Sequence, residues 1–386
     1  MAEEKRIIKI SEPVLGEEEW LAVKEPLNSG WLTQGPKVRE FEENFAARHQ
    51  VKHAVAVTSA TTALHIAVAA LDIKPGDEVI VPAFTWVATS NAVLYQGAKV
   101  VFADIDTSTF NINTDDLKKK ITNKTKAIIP VHLFGLCSEM DKILEIAGDI
   151  PIIEDAACAS GASYKGKSAG SMGNLGCFSF HPRKSVTTGE GGMVTTNNDS
   201  LADKLRKLRN HGASSSEEER YNGPKPYLMP DFNLLGFNYR MTDIQAAIGI
   251  VQLKKLDKFI DERARWAEFY IEKLSAIDWI STPSFSNDYK HGWQSFVIMV
   301  DENKSPVTRN KIMEYLQDNG ISTRPGTHAV HMLNYYSKLY GIKPEDYPNA
   351  KKANDCSIAL PLHNKMTELD YEYTIHHLNK VNNSRF

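Results

Sequence analysis

From about residue 54 onward, short apolar and β-branched runs alternate with segments of helical periodicity. "HAVAVT" precedes "TTALHIAVAALDI", "DEVIVP" precedes "TWVATSNAVLYQG", and "KVVFADI", "TKAIIPVH", "SEMDKILEIAGD" and "PIIEDAA" follow. The strand runs are apolar on both faces, which predicts a mostly parallel sheet covered by helices on each side, the α/β class. Turn chemistry agrees: "KPGDE" (74–78) is a Pro-Gly turn feeding a strand, and Ser138 stands where a helix can start.

Near residue 242 the pattern changes. "TDIQ" places Thr242 and Gln245 as a capping box, and Ile244, Ile248, Val251, Leu256, Phe259, Ile260, Tyr270, Ile271 and Leu274 follow at helical spacing. A helix from Asp243 to about Ser275, continuous or nearly so, is roughly 50 Å long, more than one domain requires. The expected division is therefore a large domain over 1–250 and a small C-terminal α/β domain over 251–386, joined by that helix. The small domain is predicted to hold the strand "WQSFVIMV", the helix "TRNKIMEYLQDNG" and a last helix near "TELDYEYTIHHLNKV". "SSSEEERYNGPKPYLMPDFN" (214–233) reads as a long loop, of the kind that covers a site.

Composition narrows the function classes. The 386 residues are ample for a large core. A net charge of −3 gives no electrostatic case for nucleic acid or an anionic membrane. "MAEEKRIIKI" lacks an apolar leader and no long uncharged apolar run occurs, so the expectation is a cytoplasmic protein with no membrane partner. Cys137, Cys158, Cys177 and Cys356 are scattered, predicting neither a disulfide framework nor a zinc site. His328 and His331 could share a helical face, but no third ligand accompanies them, and no metal is expected.

Three stretches carry candidate chemistry. In "VTSATTALH" a strand ends at Val57 and a helix begins within Ser59, Ala60, Thr61 and Thr62. The free N–H groups of a helix start attract phosphate, although Ser and Thr also cap helices that bind nothing. In "IIEDAA" Glu154 and Asp155 close an apolar strand, so that one of them faces a ligand crevice or caps the next helix. In "FSFHPRKSVTTGEGGMV" Lys184 stands between Phe178, Phe180 and Pro182 and a Gly-rich turn. Desolvation there would lower its pKa and free the amine as nucleophile and base; a lysine snorkelling from a strand edge is the plainer alternative. A phosphate seat, a partner for a pyridinium nitrogen and a desolvated amine together meet the needs of pyridoxal phosphate. Trp86, in "PAFTWVATS", could stack on the ring or belong to the core.

The chain resembles the DegT/DnrJ/EryC1/StrS family of nucleotide-sugar aminotransferases along nearly its whole length. The resemblance is carried by "SGWLTQGPKVREFE" (29–42), "TSATTALH" (58–65), "GDEVIVPAFTWVAT" (76–89), "IIEDAACASGASYKGKSAGSMG" (152–173), "CFSFHPRKSVTTGEGGMV" (177–194), "RNHG" (209–212), "GFNYRMTDIQAAIG" (236–249) and "YPNAKKANDCSIALPLH" (347–363). It implies a fold type I aminotransferase, with the large domain binding pyridoxal 5'-phosphate and a pyridoxamine 5'-phosphate form arising in turnover. Lys184 would join the cofactor covalently, Asp155 would hold its ring nitrogen, and Trp86 would stack on the ring. Ala60, Thr61 and Ser179 would hold its phosphate, with Asn238 contributed across a homodimer interface. Arg209, His211 and His328 would line the substrate site. Two positions depart from the family pattern: Ala60 replaces a common Gly, and Cys158 stands where His, Gln or Glu is usual near the ring oxygen. The implied reaction moves an amino group from L-glutamate to a nucleotide-linked keto-deoxy sugar, 4-keto or 3-keto. Dehydratases of the family replace the lysine by histidine, whereas Lys184 is intact, and the net charge of −3 and the absence of a basic helix argue against a non-catalytic DNA-binding regulator.

Overall fold

Short strands buried along nearly their whole length build a central sheet from β1 (His53–Val57), β2 (Glu78–Pro82), β3 (Lys99–Ala103), β4 (Thr125–Ile128), β5 (Ile153–Asp155), β6 (Leu175–Ser179) and β7 (Gly192–Thr196). The computed structural model describes residues 6–215, 223, 227 and 229–383. The order across the sheet is β1-β7-β6-β5-β4-β2-β3, its halves joined by parallel bridges Ile128–Ile152 and Val131–Asp155. All neighbours run parallel except β7, which is antiparallel to both β1 and β6. After β6 the chain turns straight back, with Phe180 N–H bonded to the Gly191 carbonyl (2.9 Å), and no helix intervenes to make a parallel crossover.

Successive residues of each strand point to opposite faces, so both faces need cover. Val55 and Val57 pack on one side with helices Ala60–Ala70, Val87–Tyr95 and Asp199–Arg209. Ala54 and Ala56 pack on the other with Pro36–Arg48, Met140–Ala147 and the first half of the long helix. That helix runs unbroken over Asp243–Leu274, about 48 Å at 1.5 Å per residue. Its expected capping box forms: Thr242 Oγ1 accepts from Gln245 N–H (3.2 Å) and Gln245 Oε1 accepts from Thr242 N–H (3.0 Å).

The second half of the long helix feeds a separate core. Trp266, Tyr270 and Leu274 pack there with Phe296, Ile312, Ile358, Tyr371 and Leu378, drawn from strands Phe296–Val300 and Ser357–Leu360 and helices Arg309–Asp318 and Glu368–Asn383. Ile8 joins this core and bridges to Ile321. The loop expected over 214–233 lies largely outside the described residues; at its base Ser214 N–H bonds the Asp231 carbonyl (2.8 Å). Among the described residues, no helix is long and apolar enough to cross a membrane and no three His, Cys, Asp or Glu side chains gather as a metal site.

Candidate active site

The carboxyl ends of β5 and β6 and the start of helix Ala60–Ala70 converge on one corner. Glu154 and Asp155, adjacent on β5, point to opposite faces, and their surroundings separate their roles. Glu154 is fully buried and accepts from His132 Nε2 (2.7 Å), Gly170 N–H (2.8 Å), Met172 N–H (2.7 Å) and Gly173 N–H (2.5 Å). Ser138 N–H donates to His132 Nδ1 (3.0 Å), which leaves Nε2 as the protonated nitrogen. Glu154 therefore ties a distant turn to the sheet and has no acceptor capacity left for a ligand.

Asp155 faces the other way. It accepts only from Thr89 Oγ1 (2.8 Å) and, weakly, from Ala157 N–H (3.2 Å). Burial raises its pKa, partly offset by these two donors and by the nearby charge of Lys184. A buried carboxylate with so few donors is poised for a cationic partner. Thr89 carries no mark in the sequence beyond its place in "TWVAT"; it enters because Val87–Tyr95 docks on the same face as Asp155.

Lys184 lies in the β6–β7 connection, its N–H bonded to the His181 carbonyl (2.9 Å) and its Nζ 3.0 Å from Cys158 Sγ. The sequence predicts a desolvated amine, whereas the side chain is only half-buried. The aromatic approach does not surround it: Phe178 and Phe180 turn under the sheet to pack on Phe45, with ring centroids 4.9 and 5.5 Å away.

The helix start is built for close approach. Ser59 Oγ accepts from Thr62 N–H (3.2 Å), while the N–H groups of Ala60 and Thr61, the first two of the helix, have no acceptor within it. Gly192 makes the fit possible, because a Cβ there would lie 2.4 Å from the Ser59 carbonyl oxygen and 2.8 Å from Ala60 N. The Gly-rich turn thus admits a helix start. Gly192 is registered opposite Ser179, whose buried hydroxyl shares this corner. Trp86, just before helix Val87–Tyr95, is 60% exposed, so its ring lies at the surface and not in the core.

The remaining expected residues are placed differently. His328 and His331 share no helix. His328 sits in a short strand, His328–Ala329, paired with Phe84–Thr85, which sets its ring 5.4 Å from that of Trp86. His331 is buried and bonds the Pro344 carbonyl (3.1 Å). Arg209 does not reach toward Lys184: it is buried at the outer edge of β1, bonded to Glu42 and to the Ala56 carbonyl (2.7 Å). Because β1 is a sheet edge, the pair takes over backbone groups that a further strand would satisfy, with Ala56 N–H also donating to Glu42 (2.8 Å). His211 is exposed with a left-handed backbone (φ 58°). Asn238 is exposed in a segment that bridges Asn210 and runs along the end of β1.

Residues 13–379 match the DegT/DnrJ/EryC1/StrS aminotransferase family. The chain belongs to that family. It is 40% identical over 378 residues to the GDP-perosamine synthase of Caulobacter vibrioides, covering 97% of this chain and 98% of the relative. Its identity to the spore coat polysaccharide biosynthesis protein SpsC of Bacillus subtilis is 42% over 368 residues, 94% of each chain. Among solved structures, Spr1654 of Streptococcus pneumoniae in its PLP form superposes with a TM-score of 0.90 at 30% identity over 99% of this chain and all of that one. A PMP form of the same protein superposes equally well, with a TM-score of 0.90. PseC of Helicobacter pylori, an aminotransferase of pseudoaminic acid biosynthesis, also gives a TM-score of 0.90, at 28% identity over 97% of this chain and 99% of that one. The fold is type I, and the protein is a pyridoxal-phosphate-dependent sugar aminotransferase. The residues present suit that cofactor: a buried carboxylate short of donors, an amine whose charge reaches it, free helix-start N–H groups opened by Gly192, and an exposed indole.

Proposed function

We propose that this chain moves an amino group from L-glutamate to a keto group of a nucleotide-linked keto-deoxy sugar, C4 being favoured over C3, in the making of surface polysaccharide. The observation that carries this reading is the Lys184 amine, close enough for its charge to hold down the pKa of the buried, under-donated Asp155 carboxyl at the carboxyl end of the sheet. Pyridoxal phosphate supplies an electron sink that stabilises the carbanion formed at the donor's Cα. Lys184 holds the cofactor between turnovers. When free, its amine would take the proton from Cα as general base and hand it on, as general acid, to the cofactor carbon. Asp155 keeps the ring nitrogen protonated through a charge-assisted bond, oriented by Thr89. The N–H groups of Ala60 and Thr61 and the Ser179 hydroxyl hold the phosphate, and Trp86 covers the ring and excludes water on that side. Asn238 completes the phosphate seat from a second copy of the chain, so the active form is a homodimer, working in the cytoplasm. The long helix divides the chain into 1–250 and 251–386, with the His328 strand bringing the small domain to Trp86. His211 and His328 are the candidate substrate contacts. The preference for C4 rests on the likeness to GDP-perosamine synthase.

The test is incubation of the purified, cofactor-loaded protein with L-glutamate and a panel of nucleotide-linked 4-keto and 3-keto sugars, with products identified by mass and NMR. A C4-aminated product is expected. A C3-aminated product corrects the position, and failure of every amino donor to bleach the cofactor colour overturns the reading. A regulatory role would show instead as a shift of duplex DNA at moderate salt.

A further inference from the structure

Cys158 touches Lys184 and takes no part in the proposed reaction. Its Sγ lies 3.0 Å from Lys184 Nζ, with the lysine donating. The position of the sulfur is fixed from below: Asp155 accepts from Ala157 N–H (3.2 Å), and Ala159 N–H bonds the Ala156 carbonyl (2.9 Å), locking the turn that carries it. One carboxylate therefore sets both the crevice and the height of the thiol above it. The other cysteines are separate from the amine. Cys137 and Cys177 are buried and their thiols are pushed up by burial, while Cys356 is half-buried at the end of helix Pro348–Cys356. The charged groups that bear on this corner are Asp155 from β5, with buried His132 behind it, and His181, Arg183 and Glu190 from the β6–β7 connection.

A sulfur accepting from an ammonium stabilises the protonated nitrogen, and the ammonium in turn stabilises the thiolate. We propose that Cys158 is a positioning residue for Lys184: its sulfur holds the lysine nitrogen at the mouth of the Asp155 crevice, before and after the nitrogen joins the cofactor. The second half of this statement rests on the pyridoxal phosphate reading above; the first does not.

The test has two arms that separate these. In the first, the full chain carrying Cys356→Ser, freed of cofactor, is titrated at neutral pH with Ellman's reagent. One fast thiol is expected, and Lys184→Met slows it about threefold or more by removing the neighbouring cation. A rate that stays within about twofold overturns the contact. In the second arm, parent, Cys158→Ala and Cys158→Ser proteins are loaded with pyridoxal phosphate and their visible band is titrated against pH. Loss of the acceptor in Cys158→Ala lowers the midpoint by about half a pH unit or more, and Cys158→Ser, which keeps an acceptor, restores most of it. Identical midpoints in all three proteins overturn the role at the cofactor. Absence of any visible band sinks the cofactor reading instead, while the first arm still decides whether sulfur and amine are paired. Thermal midpoints of the three variants are measured alongside, since a merely structural thiol would move those and leave the pH titration in place.

Discussion

The two neighbouring acids of β5 offer a direct test of how the site is divided between architecture and chemistry. Glu154→Gln keeps the shape of the side chain but leaves one acceptor oxygen where two served four donors. If that oxygen stays with Met172 and Gly173 N–H, the new NH2 group confronts His132 Nε2 and Gly170 N–H. His132 cannot adapt by switching tautomer, because its Nδ1 is already the acceptor for Ser138 N–H. At least two buried donors therefore lose their partner, at about 1–3 kcal/mol each, so a loss near 4 kcal/mol is expected. With unfolding entropy scaling with chain length, this corresponds to a thermal midpoint roughly 5–8 °C lower. Differential scanning calorimetry of parent and variant measures it, with the visible band recorded on the folded protein. Asp155→Asn should do the opposite: its remaining oxygen can keep the Ala157 N–H and Thr89 Oγ1 can turn to accept from the new amide, so the midpoint moves by less than about 2 °C, while turnover falls by about a thousandfold or more as the ring nitrogen loses its counter-charge. An unchanged midpoint in Glu154→Gln, or full activity in Asp155→Asn, would refute the assignment of the two roles.

Four further outcomes are expected. Lys184→Ala should abolish turnover while the pyridoxamine form of the cofactor still binds; measurable transamination in the variant would remove Lys184 from the mechanism. Gly192→Ala places a Cβ against the Ser59 carbonyl and Ala60 N, so it should push the helix start outward and weaken cofactor binding at least about tenfold, read by fluorescence titration. Arg209→Ala leaves the largely buried Glu42 without its cation and should cost about 2–4 kcal/mol of stability in urea unfolding, with kcat of the surviving folded fraction near that of the parent. Buried His49 and His291 have pKa values pushed down to about 3 by desolvation, so below about pH 6.5 the unfolded chain takes up protons there that the folded chain refuses. Unfolding free energy should therefore fall as pH falls from 7.5 to 5.5, with a slope approaching about 2.7 kcal/mol per pH unit from these two groups; a flat profile over that range would contradict their burial as neutral rings.

The pattern of strands and helices, the capping box at Thr242 and the continuous long helix were legible in the chain because each depends on residues close in sequence. Periodicity of two and of 3.6 and a cap three residues away are local rules. The proposed site set, Lys184, Asp155, Trp86, Ala60, Thr61 and Ser179, came from the family resemblance. What the chain alone left open depended on partners far along it. Alternation put Glu154 and Asp155 on opposite faces, but only the arrival of the Gly170–Gly173 turn on one face and Thr89 on the other decided which acid is structural and which is free for a ring nitrogen. The aromatic residues flanking Lys184 promised a dry amine, and tertiary packing took them under the sheet to Phe45. Arg209 was drawn to the bare edge of β1, an edge that exists only once the strand order is set, and His328 reached Trp86 through a two-residue ladder spanning most of the chain. Sequence by itself determined the elements and most of the chemistry they carry. The folded sheet determined which faces, edges and corners those side chains meet, because burial and hydrogen-bond satisfaction are properties of neighbours and not of the residue.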